Sequence, residues 1–128
     1  MSLEDIDMMN GIFVMLGGGI GALLRYLISL IPCRMSFPLL TLITNILGAL
    51  LIGFLAGMVL NGKKVSNHTM LFWKTGLCGG FTTFSTFSLE AFQLLEGGQT
   101  FAGILYILLS VLCCLFGIFI GNSLAKMI

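Results

Sequence analysis

Four runs of apolar residues fill the chain from Gly11 to Ala125, and short polar breaks separate them. A hydrocarbon core about 30 Å thick asks for roughly 20 apolar residues per crossing helix, and each run is long enough. The first covers about 11–31 and stops at Pro32, which cannot continue a helix. A short turn over 32–38 leads to a charge-free second run over about 38–61, closed by Asn61, Gly62, Lys63 and Lys64. The third covers about 69–95 and the fourth about 100–125, with Glu96 to Gln99 between them and Lys126 at the end. The pattern predicts an all-α membrane protein, a single four-helix transmembrane domain over 1–128 with both termini on one side.

The third run differs from the others. Gly79 and Gly80 are followed by Phe81, Thr82, Thr83, Phe84, Ser85, Thr86, Phe87, Ser88 and then Glu90. Phenylalanine recurs at 81, 84 and 87 and hydroxyls at 82, 85 and 88, a period of three that winds around a regular helix. Paired glycines beside hydroxyl residues at mid-membrane predict a break in this helix. Carbonyls freed there cannot face lipid, so they line a cavity, bind an ion or meet a partner. In the plainer alternative the rings face lipid or core and the hydroxyls bond back to their own helix. A polar stripe that long is costly in lipid unless it is used.

The residues around this segment suit a small anion. The edge of a phenylalanine ring carries partial positive charge, so rings presented edge-on attract an anion without a formal charge that would trap it. Asn45, in the middle of the second run, adds an amide donor, with Thr41 one turn earlier on the same face. Tyr106 and Ser110, four apart on the fourth helix, offer a second hydroxyl ladder. Glu90 either relays protons or caps the hydroxyl track. Arg25 lies near the end of the first span, where an arginine ordinarily snorkels to the interface.

Glycines four apart recur in every run: Gly17 and Gly21, Gly53 and Gly57, Gly76 and Gly80, Gly117 and Gly121. This spacing lets helix backbones approach closely in lipid. Four helices packed so tightly leave no room for a central pore, so a conduction path belongs between subunits.

Composition sharpens the picture. Of 128 residues 58% are hydrophobic and 9% charged, and the mean hydropathy is +1.11. A soluble domain this small cannot bury that much apolar surface. A net charge of +1 gives no basic footprint for nucleic acid. The first ten residues carry Glu4, Asp5 and Asp7 and no basic residue, so the first run is expected to stay as a span rather than be removed as a signal. Cys33, Cys78, Cys113 and Cys114 form no metal-ligand spacing, and His68 is expected in a polar turn. Trp73 and Lys74 look like an interfacial anchor pair. Lys63, Lys64 and Lys126, with Lys74 near them, oppose Arg34 and Arg25, a bias weak enough to permit insertion in either orientation. No catalytic constellation is present, so an enzyme is not expected.

Three segments together resemble the Fluc (CrcB) family of fluoride channels, over nearly the whole chain. They are Gly18, Gly19, Gly21, Ala22, Arg25 and Tyr26 in the first run, then Thr41, Asn45 and Gly48 in the second. The most specific is the stretch from Gly79 through Glu90 in the third. The resemblance implies an antiparallel, dual-topology homodimer in the cell inner (plasma) membrane, with two fluoride pores at its interface that passively export cytoplasmic fluoride and protect against its toxicity. It implies a structural Na+ at the dimer centre, held by backbone carbonyls of Gly79 and Thr82. Phe84 and Phe87 would border the fluoride path, Asn45 would be the pore amide, and Thr41, Thr83, Ser85, Tyr106 and Ser110 the polar lining. Arg25 would stand near a vestibule and Glu90 at the acidic end of the track. The acidic N-terminal extension and the Cys113–Cys114 pair depart from the family pattern. The competing reading is a small multidrug-resistance-type proton-coupled antiporter, which needs a carboxylate in the first helix that is absent here. A non-transporting assembly subunit would leave the phenylalanine and hydroxyl run unexplained.

Overall fold

The computed structural model describes residues 7–128; Glu4 and Asp5 lie outside the described residues. Helix α1 spans Met8–Ser29 and starts at Asp7, whose carboxylate accepts from the Met9 amide at 3.0 Å. Helix α2, Leu39–Leu60, begins after Pro38 and ends where Asn61 folds its amide back onto the Gly57 carbonyl at 2.7 Å. Both helices, and the last, α5 at Thr100–Lys126, are long and apolar enough to cross a membrane. The remaining passage is made by two shorter helices. Helix α3 covers residues 67–81 and α4 covers Phe84–Glu96.

Helix α3 changes its winding twice. It is α-helical over Asn67–Met70, π-wound over Leu71–Cys78 and α-helical again over Gly79–Phe81. Thr82 and Thr83 are extended, with φ, ψ of −82°, 157° and −150°, 114°. The chain therefore breaks at Thr82–Thr83, at the far end of the stretch from Gly79 to Thr82 that the residue pattern favoured. The glycines have another role. Gly79 keeps helical angles of −62°, −39°, and a Cβ at Gly80 would run into the Gly18 carbonyl oxygen. Gly80 is thus a packing residue, and the hydroxyl residues make the break. Thr82 directs both its amide, at 3.0 Å, and its hydroxyl, at 2.8 Å, to the Cys78 carbonyl. The Thr83 hydroxyl then caps α4 by accepting from the Thr86 amide at 3.1 Å.

The helices pack in two backbone-to-backbone pairs. Against α5, a Cβ on Gly53 of α2 would meet the Ile118 carbonyl oxygen, and one on Gly121 of α5 the Leu50 carbonyl oxygen. Against α3, a Cβ on Gly17 or Gly21 of α1 would meet the carbonyl oxygens of Phe72 and Leu77. Such close approach is how helices gain packing energy where lipid tails are as apolar as leucine. A small core of Leu42, Phe87, Ala91, Leu94 and Tyr106 joins α2, α4 and α5. Leu23, Leu27, Leu108, Leu112, Phe116 and Phe119 point outward, as a lipid-facing belt requires. His68 is not in a turn: it lies in the first turn of α3 with its ring stacked on Phe13, centroids 4.6 Å apart. Both rings gain contact there that a loop histidine lacks.

Candidate functional site

The break interrupts the α-helical ladder, and side chains from two other helices take hold of it. The Asn45 amide lies across Thr83 like a peptide group in a strand pair. Its Oδ1 accepts from the Thr83 amide at 2.8 Å and its Nδ2 donates to the Thr83 carbonyl at 3.2 Å. From α1, Arg25 Nε donates to the Gly80 carbonyl at 3.1 Å. Arg25 is therefore turned inward onto the break instead of snorkelling, because a freed carbonyl in apolar surroundings is a better partner than distant headgroups.

A second cluster sits one to two turns along α4. The Glu90 carboxylate accepts from the Thr41 hydroxyl on one oxygen and from the Tyr106 hydroxyl on the other, each at 2.8 Å. Tyr106 has no exposed surface. Its ring lies 5.2 Å from Phe87 and 5.4 Å from Phe37, centroid to centroid. Glu90 thus joins α2, α4 and α5 at one point.

Two cavities open beside the break. The larger, about 400 Å³, is lined by Asn45, Phe84, Phe87 and Ser110, together with Gly79, Thr82 and Thr83 at the break itself. The smaller, about 230 Å³, is lined by Arg25, Thr41, Thr83, Thr86 and Glu90. Thr83 is on both walls. Phe84 and Phe87, one turn apart, differ sharply: Phe84 is 80% exposed and Phe87 9%, with ring centroids 5.6 Å apart and planes tilted by 49°. Ser110 is 6% exposed, and among the described residues its hydroxyl finds no partner.

Ten of the twelve residues singled out from the sequence line one cavity or the other. The two that do not are Tyr106, which is enclosed behind Glu90, and Ser85, which is exposed and reaches only the Thr83 hydroxyl at 3.3 Å. Tyr106 and Ser110 therefore do not form one ladder. Some hydroxyls do bond back to their own helix: Ser88 to the Phe84 carbonyl at 2.9 Å, Thr44 to that of Leu40 at 2.8 Å. Thr86 was not among those residues, yet it receives the Thr83 hydroxyl at 3.0 Å and lines the smaller cavity. Its place in the same hydroxyl run was the available signal. Lys74 was read as an interfacial anchor, and it lines the larger cavity.

Among the described residues no three His, Cys, Asp or Glu side chains stand close enough to hold a metal ion, and all four cysteines are free thiols. Apolar helices enclosing polar side chains that converge on one broken segment define a multi-pass membrane protein with an internal polar track. Residues 12–122 match the family described as "CrcB-like protein, Camphor Resistance (CrcB)". The chain is 44% identical over 125 residues to the "Fluoride-specific ion channel FluC" of Ruminiclostridium cellulolyticum, covering 95% of this chain and 96% of that one. It is 42% identical over 122 residues to the protein of the same name from Pyrococcus furiosus, covering 94% and 99%. A third relative with that name, from Clostridium perfringens, is 45% identical over 120 residues, covering 91% and 94%. This chain belongs to the CrcB family, and it is a multi-pass protein of the cell membrane.

Proposed function

We propose that this protein is a fluoride-selective channel that lets cytoplasmic fluoride leave the cell passively, so relieving its toxicity. The observation that carries the reading is the polar lining on either side of Thr83: Asn45, Ser110 and the Phe84–Phe87 pair in one cavity, Thr41, Thr86 and Glu90 in the other. A small, strongly hydrated anion needs hydrogen-bond donors in place of water, supplied stepwise and without a charge that holds it. The unpartnered Ser110 hydroxyl and the second Nδ2 hydrogen of Asn45 supply donors. Ring edges supply a weak positive potential. The track passes from one cavity to the other along Thr83, with the Thr41 hydroxyl and the Arg25 guanidinium on its far wall.

The active unit in this reading is an antiparallel homodimer inserted in both orientations. Helices packed backbone to backbone leave no bore through one subunit, and the larger cavity lies at the edge of the bundle, where a second copy would close it. At the dimer centre, carbonyls of Gly79 and Thr82 from both subunits would hold a structural Na+. The break supports this donor set. The amides that a continuous helix would direct to those two carbonyls belong to Thr83 and Thr86, and both bond elsewhere, to Asn45 Oδ1 and to the Thr83 hydroxyl. Oxygen-only ligands suit a hard cation.

The antiporter alternative gains nothing here. Helix α1 carries no carboxylate, and Glu90 already accepts on both oxygens. The test is reconstitution of the purified protein in liposomes, with fluoride release followed by electrode under an imposed voltage. Fluoride release with chloride retained is expected. Drug-dependent proton flux with no fluoride movement would overturn the reading.

A further inference from the structure

We infer that Lys74 is the anion-collecting cation of the track, drawing fluoride from solution into the larger cavity toward Ser110; this rests on the channel reading above. Lys74 stands on the π-wound part of α3, exposed, five residues before Gly79. At no more than about 1.5 Å of rise per residue, it lies within about 8 Å of Gly79 along the axis. Lys74, Cys78 and Thr82 follow at four-residue intervals and all three line the larger cavity. The lysine is therefore on the face of α3 that forms the wall. Among the described residues it is the only charged side chain on that wall.

The neighbouring charges leave it in that position. Arg25 is bound to the Gly80 carbonyl and lines the other cavity. Glu90, the membrane carboxylate, is bound by Thr41 and Tyr106 and also lines the other cavity. Among the described residues no carboxylate on the wall neutralises Lys74, and the Ser110 hydroxyl on the same wall has no partner of its own. A free ammonium at one end and a buried free donor deeper in make a graded path for an anion. Where water reaches the cavity, the lysine attracts an anion through its field without binding it tightly, since exposed ion pairs are worth only about 0–1 kcal/mol. The expected effect is on the rate of entry.

The test compares full-length wild type with Lys74→Gln, Lys74→Ala and Lys74→Arg, each reconstituted in vesicles of neutral phosphatidylcholine. Initial fluoride release is measured at low fluoride, in about 10 mM and about 1 M impermeant salt, where the Debye length is about 30 Å and about 3 Å. At low salt both neutral variants are expected to slow release by about three- to tenfold, the low end of electrostatic steering. Lys74→Arg restores it, and the difference closes at high salt. Neutral variants that match wild type at low salt overturn the inference. So does a deficit that persists unchanged at high salt, or one shared by Lys74→Arg, because either marks a structural role. Wild-type vesicles that release no fluoride overturn the channel reading itself, a result distinct from equal release by wild type and variants.

Discussion

Replacing Asn45 by leucine removes the clasp on Thr83 while leaving the apolar contacts of α2 in place. Two hydrogen bonds go, at 2.8 and 3.2 Å, and the Thr83 amide and carbonyl are left without them in the middle of the bundle. An unsatisfied buried donor or acceptor costs about 1–3 kcal/mol. Two such groups would cost about 2–6 kcal/mol, and burial of the leucine side chain returns about 1–2 kcal/mol of that. Taken from the middle of each range, the net loss should be about 2–3 kcal/mol. Equilibrium unfolding in mixed micelles, with the denaturing detergent as the titrant, measures it directly. Asn45→Asp separates the two contacts, because its carboxylate can still accept from the Thr83 amide but faces the Thr83 carbonyl with a second oxygen. It should be destabilised too, and it should block anion passage by placing negative charge on the cavity wall. An Asn45→Leu protein that unfolds within about 0.5 kcal/mol of wild type, the range of inert surface substitutions, would refute the clasp.

Phe84→Ile and Phe87→Ile should both lower fluoride release, since isoleucine is apolar but has no ring edge. Only Phe87→Ile should cost stability, about 1–2 kcal/mol, because Phe87 is buried beside Tyr106 and Phe84 is not; unchanged flux in both would remove the ring-edge argument. Glu90→Ala and Tyr106→Phe should be non-additive, with a coupling of about 1–3 kcal/mol for a hydrogen bond to a charged group; additive losses in a double-mutant cycle would mean the 2.8 Å contact carries no energy. Gly21→Ala pushes a methyl group into the Leu77 carbonyl oxygen, whereas a methyl group on Gly19 of the same helix meets nothing within 4 Å. The first should cost more than about 2 kcal/mol and the second should be neutral or stabilising, and equal midpoints would show that α1 and α3 are not in close contact.

The spans and the special character of the third were legible because apolar periodicity and composition are local properties of the chain. The exact place of the break was not. The stretch from Gly79 to Thr82 looked like the weak point, since glycine costs helix stability, but at Gly80 that cost is offset because the missing Cβ lets α1 settle against α3. What decides the position is Thr82 satisfying Cys78 twice, and Thr83 being claimed by Asn45, 38 residues away in sequence. No local pattern carries that pairing. The π winding over Leu71–Cys78 is hidden for the same reason, because it is set against Gly17 and Gly21 of another helix. The inward turn of Arg25 was hidden in the same way, because its depth along α1 does not show that a bare carbonyl stands beside it.

Arg25 and Asn45 take hold of the break in different ways, and the difference explains what is left free. Arg25 supplies only a donor, and it goes to Gly80. Asn45 supplies a donor and an acceptor, and both go to Thr83. By taking the Thr83 amide, Asn45 deprives Gly79 of its helical donor, and by capping α4, Thr83 takes the amide that Thr82 would have received. The same contacts that stabilise the broken segment therefore leave two carbonyls without their helical donors, while Ser110 is held on the cavity wall with its hydroxyl unpartnered among the described residues. Cation site and anion track would then be two consequences of one side chain. Asn45→Leu should disturb both together, losing fluoride release and any dependence of dimer stability on Na+ in the same variant. A variant that lost fluoride release but kept a wild-type Na+ dependence would separate them and place Asn45 in the track alone.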